Sequence, residues 1–197
     1  RDATSRLYRI SKRHLAELLA LGHDTVHTIP ADFPLKPTAH RQRQALVQGS
    51  MVIAPGLTEA LDEIALPAAY IDFESINTAI PAFPDCEPFA QVPVQMSCHR
   101  IEPDGTMHHH EWLGVYGEDP RPGLAEAVLV ACRGAKTLVA YSAGFERQMI
   151  SHLDKHVDAE QSAELQGLLG RFVDLLPIMR NFVYHPDFGG RFGLKAV

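Results

Sequence analysis

Asp72 and Glu74 stand two residues apart at the end of a largely apolar run, AAYIDFES, from Ala68 to Ser75. On a β-strand the side chains at i and i+2 share a face, so both carboxylates point one way while Ile71 and Phe73 point the other. Two anions at that spacing repel, and they need a shared cation, a shared proton or open water. Of these, hard divalent cations held by oxygen ligands also perform chemistry, usually on phosphates. A third acid, Glu146, lies in SAGFERQMISHL, which reads as a helix opening directly after the apolar run Thr137 to Tyr141. If a strand over 137–141 lies beside the strand over 68–74, the three carboxylates Asp72, Glu74 and Glu146 converge at one sheet edge. Converging acids invite metal, and Mg²⁺ and Mn²⁺ both suit carboxylate oxygens.

The elements that must position these residues follow from the pattern around them. The chain has 197 residues and is 46% hydrophobic, enough for one good core with a small appendage. Residues 1–66 read as a small helical region. It holds a helix over 10–21 with Ser11 as N-cap and Gly22 as its stop, an Arg/Gln-rich helix over 39–48, and a short helix capped by Thr58 and running to 64. Pro67 closes that region, and residues 67–197 form the second domain.

There the pattern alternates. The strand over 68–74 is followed by a loop rich in Pro and acid (IPAFPDCEPF), a strand over 92–101, the turn EPDG at Glu102 to Gly105, and a returning strand over 106–113. A helix over 123–132 introduced by Pro122, the strand over 137–141, the helix carrying Glu146, a second amphipathic helix over about 159–169, and a short strand or turn at 172–175 before a last helix complete the series. The order β-β-β-α-β-α, with a hairpin first and a crossover helix second, predicts an α/β fold: a ribonuclease H-like mixed sheet flanked by helices.

Charge is distributed unevenly. Residues 1–50 hold eight Lys/Arg against four Asp/Glu, whereas residues 51–197 hold ten against twenty. A basic arm on an acidic body is compatible with phosphate contacts at one end and metal binding in the other. No apolar run approaches the roughly 20 residues that span a bilayer, and no signal-peptide pattern opens the chain, so no membrane partner is expected. Cys86, Cys98 and Cys132 are odd in number and form no C-x-x-C pair, which argues for small buried hydrophobes in a reducing, cytoplasmic setting rather than a disulfide framework.

With these residues in place, the chain resembles the DEDD or DnaQ-like 3′→5′ exonucleases of the ribonuclease H-like superfamily. YIDFES resembles the first motif of that group, and LVAYSAGFER the second. The ordered set YIDFES, VPVQMSCHR, VAYSAGFER and VDLLPIMRNFVYHPDFGGRFGLKAV, with ISKRHLAELLALG before it, is similar to an uncharacterised bacterial family in which such a domain follows a RecB-like nuclease region. The resemblance implies a two-metal phosphodiester hydrolase acting on DNA or RNA. In it Asp72 bridges both ions, Glu74 binds the first and helps position the attacking water, and Glu146 takes the second-motif place, where the group typically carries Asp. It also implies that the third motif, an acid with a His or Tyr, lies beyond Val197.

Remaining residues keep two readings each. Asp174 in VDLLP reads as the cap of a helix over 175–180, with approach to the site as its second reading. His108, His109 and His110 alternate faces on a strand, so all three cannot bind one ion. His185 is a candidate substrate contact, and Arg191 and Lys195 are candidate phosphate contacts, against an ordinary surface loop. Phe73 and Phe145 flank the acids and are candidates to stack bases, against core packing. Two alternatives to the exonuclease stay open: a non-catalytic nucleic-acid-binding or interaction module that keeps the fold, and a metal-dependent phosphodiesterase for small nucleotides.

Overall fold

A computed structural model describes residues 2–197. In chain order its elements begin with α1 (Lys12–Ala20), α2 (Pro37–Gln48), β1 (Val52–Ile53) and α3 (Leu57–Leu61). There follow β2 (Ala68–Ile76), β3 (Val92–Ile101), β4 (Met107–Leu113), α4 (Pro120–Ala131), β5 (Thr137–Ala140), α5 (Gly144–Leu153) and α6 (Ala159–Leu169). The series ends with β6 (Phe172–Asp174), α7 (Leu175–Phe182) and β7 (Val183–Tyr184). The chain divides into two compact units, one made of residues up to Asp62 together with Leu176–Val197, the other of Glu63–Leu175. The segment 176–197, expected from the sequence in the sheet domain, therefore groups with the N-terminal helices.

In the first unit, Ser11 caps α1 by accepting the His14 N–H, and Gly22 takes the left-handed conformation that ends it. The short helix expected from Thr58 is instead α3, entered through the left-handed Gly56 with no side-chain cap. β1 pairs antiparallel with β7, Val52 opposite Tyr184. Arg41, buried on α2, donates to the carbonyls of Arg180 and Asn181, which binds the C-terminal segment to the helical region. Gly190 has φ +82° and a Cβ there would lie 2.6 Å from the Arg6 carbonyl oxygen, so only glycine fits. The helix that GLKAV suggests is a single 3₁₀ turn, Leu194–Ala196.

The second unit is α/β. Its five-stranded mixed sheet has the order β4-β3-β2-β5-β6. The hairpin read from EPDG forms, with β3 antiparallel to β2 and to β4, while β2, β5 and β6 run parallel. The strand carrying Asp72 thus lies directly beside β5, with Tyr70 opposite Val139. Ala69, Ile71 and Phe73 of β2 join Leu124 and Val128 of α4, Met149 and Ile150 of α5, and Leu165 of α6 in one buried cluster. At roughly 25 cal/mol per Å² of apolar surface, each such side chain contributes about 1.5–3 kcal/mol. α4 begins at Pro120, earlier than the sequence suggests, because the Asp119 carboxylate accepts the Arg121 N–H and caps the helix there.

Candidate carboxylate site at the sheet edge

Along β2 the alternation is clean. Ile71 and Phe73 are each 3% exposed on the core side, while Asp72 and Glu74 are exposed on the other. Phe73 is therefore enclosed in the core, and the expectation that it stacks a base is corrected: its ring has no access to a ligand. Phe145 is partly buried and packs against the same core cluster.

Because β2, β5 and β6 are parallel, their C-terminal ends lie on one edge of the sheet, where binding residues gather in α/β proteins. Asp72 comes from β2, Asp174 ends β6 in register with Ala140 of β5, and Glu146 sits in the first turn of the helix that follows β5. The unpaired N–H groups of that turn favour an acid. Ser142 joins β5 to α5 with φ +70°, a left-handed conformation for a residue other than glycine. Its N–H donates to the Asp174 Oδ1 at 2.8 Å.

Glu146 is 5% exposed, and its Oε2 is buried without a hydrogen-bond partner. Burial pushes the Glu146 carboxyl above the usual carboxylate range against the pull of its own backbone N–H, and the charges of Asp72 and Asp174 push it further. Asp72, Glu146 and Asp174 thus act on one another electrostatically. Glu74 shares the exposed face of β2 with Asp72 but is not among the groups that act on Glu146. Among the described residues, no three His, Cys, Asp or Glu side chains are grouped so as to hold a metal ion.

The sequence reads Asp174 first as a helix cap. Its bond to Ser142 is non-local, and the only sequence signal for it was an acid ending a short strand after β5. His185, Arg191 and Lys195 belong to the first unit. His185 there accepts the Asp187 N–H and caps the 3₁₀ turn Pro186–Phe188, and Arg191 and Lys195 are exposed. His109 stacks on His99 of the neighbouring strand with ring centroids 4.3 Å apart and meets Ser97, while the Nε2 of His110 is buried without a partner, so the His tract splits between faces as the strand period requires.

Among the described residues no helix is long and apolar enough to cross a membrane. Residues 69–193 match the family model of DUF2779, a domain of unknown function, and the chain belongs to that family. No curated protein and no solved structure matches it.

Proposed function

We propose that this member of the DUF2779 family is a metal-dependent phosphodiester hydrolase of the ribonuclease H-like type, working as a 3′→5′ exonuclease on DNA or RNA. The observation that carries the reading is Glu146: a buried carboxylate with one orphan oxygen, facing the charges of Asp72 and Asp174 at the C-terminal edge of parallel strands. An unpartnered buried carboxylate oxygen is costly, and a cation is the partner that offsets its burial among other anions. The sheet order supports the same reading, since three antiparallel strands followed by two parallel ones, joined through a crossover helix, is the ribonuclease H-like arrangement.

The donor set is all carboxylate oxygen, which fits Mg²⁺ or Mn²⁺. Asp72 and Glu146 would hold the ion, with Glu74 joining from the exposed face of β2. Bound there, the metal supplies Lewis-acid stabilisation to the charge that grows on a phosphate during its hydrolysis. The protein's part is to fix the three acids on rigid strand and helix ends, and to keep Glu146 out of bulk water so that its charge acts at low dielectric. A RecB-like nuclease region in a longer chain, in the cytoplasm, fits this role as a source of strand ends.

A second reading, a nucleic-acid-binding or interaction module without turnover, is favoured by the acidic balance of residues 51–197, ten Lys/Arg against twenty Asp/Glu. The test is to incubate the full-length protein and its Asp72→Ala variant with end-labelled single-stranded DNA or RNA and Mn²⁺. Shortening from the 3′ end by the wild type alone is the expected result. Equal degradation by both proteins overturns the assignment, and strand binding without degradation by either establishes the module. Cleavage restricted to a dinucleotide would make the protein a small-nucleotide phosphodiesterase.

A further inference from the structure

We propose that Asp174 is a positioning residue for Glu146, holding the β5–α5 turn in the one conformation that keeps the Glu146 carboxylate buried at the sheet edge. The inference rests on the reading of Glu146 as a functional acid.

The turn needs holding. Ser142 adopts φ +70°, a conformation that L-residues disfavour, and Ala143 at the start of α5 provides no side-chain cap. The side chain at the head of the helix therefore does not fix the direction in which it leaves the strand. The fixing contact comes from 32 residues away: Asp174 Oδ1 accepts the Ser142 N–H at 2.8 Å, and Asp174 is itself fixed by its register with Ala140 across parallel β5 and β6. The carboxylate–amide bond favours the same turn that the left-handed residue disfavours. Four residues beyond Ser142, Glu146 reaches its buried position with Oε2 unpaired. Released from the clamp, the turn relaxes toward ordinary backbone angles, α5 tilts, and the carboxylate escapes to water, where burial no longer acts on it.

Two variants separate clamp from charge. Asp174→Asn keeps an oxygen for the Ser142 N–H and removes the charge. Asp174→Ala removes both. In the wild-type protein and both variants, the Ser142 amide is followed by hydrogen exchange, the α5 backbone by its NMR chemical shifts, and Mn²⁺ affinity is measured by calorimetry. The expected result is graded. Asn leaves Ser142 protected and the α5 shifts close to wild type. Ala loses Ser142 protection, moves the shifts of the first turn of α5, and weakens Mn²⁺ about 10- to 100-fold, the loss typical when a supporting partner is removed. Unmoved α5 shifts in Ala, whether or not Ser142 stays protected, overturn the proposal. If Ala is too unstable to study, Asn decides: α5 shifts that follow Ser142 protection support the clamp, and α5 shifts that move while Ser142 stays protected overturn it. If the wild-type protein binds no Mn²⁺, the nuclease reading fails, while the shifts still report whether Asp174 places the helix that carries Glu146.

Discussion

Glu146 is buried against the charge of Asp72, although Asp72 itself is exposed midway along β2. A buried acid beside like charges has its carboxyl held above the usual range, and that has a definite sign for stability. In the unfolded chain Glu146 ionises at about pH 4.3. Below that pH both states are protonated, and ionisation makes no difference between them. As pH rises through the higher folded value, the folded state carries an anion that it disfavours, so stability is lost. Glu146→Gln removes the ionisation. Urea midpoints of the variant and the wild type are expected to agree near pH 4 and to diverge by pH 7, with the variant more stable. A variant that is less stable at pH 7 would mean that the Glu146 anion is stabilised in the fold.

The same carboxylate predicts how the protein responds to metal. A cation that binds only the folded state stabilises it by about 2.7 kcal/mol at a hundredfold excess over its Kd. Thermal unfolding of the wild type is expected to shift upward with Mn²⁺, and that of Glu146→Gln to shift much less. Equal shifts in the two proteins would place the ion elsewhere.

The sheet was legible because its signals are local. An apolar run leading into Asp72 over 68–74, alternation over 92–101, a turn of Glu, Pro, Asp and Gly, and an apolar run over 137–141 suffice to set β2 to β5 and their neighbours. The division into units was not legible at its C-terminal end, because β1 and β7 are two residues each, too short to show a period, and pair across more than a hundred residues of chain. Phe73 shows how a residue between two acids can invite a binding role that its strand face forbids. The role of Asp174 was hidden for a related reason: its partner is a backbone N–H, which every residue but proline carries, so no residue type at position 142 announces it.

Arg121 is the other residue that sequence alone undervalues, since arginine is seldom fully buried. At 2% exposure it donates to both oxygens of Asp119, to the Pro84 carbonyl at 2.7 Å and to His156 Nε2 at 2.9 Å, fastening the Pro-rich loop after β2 to the start of α4. Arg121→Ala leaves those acceptors without their donor. The expected cost is about 3 kcal/mol, the lower end for a broken buried pair because the Asp119 side chain remains 30% exposed. Chemical denaturation measures it, and a loss below about 0.5 kcal/mol, the level of an ordinary surface change, would refute the fastening role.

The Arg121 contact also fixes the charge state of His156. A guanidinium only donates, so the Nε2 that meets it must be the unprotonated acceptor of a neutral ring. Burial first, and then the Arg121 charge, hold the His156 pKa below the ordinary histidine range against the opposing charges of Asp119 and Asp85; burial likewise lowers His110 and His152. A histidine with a depressed folded pKa contributes stability that is present above its unfolded value, about 6.5, and is lost as pH falls through the lower folded value. Acidification from pH 7.5 to 5.5 is therefore expected to lower the urea midpoint. His156→Gln offers Arg121 an oxygen that does not titrate in this range, so its midpoint should fall less over the same interval. The comparison is between variant and wild type at each pH, because Glu146 contributes with the opposite sign and cancels in the difference. An identical fall in both proteins would show that His156 is not the group protonated, and would leave His110 or His152 as the source of the acid sensitivity.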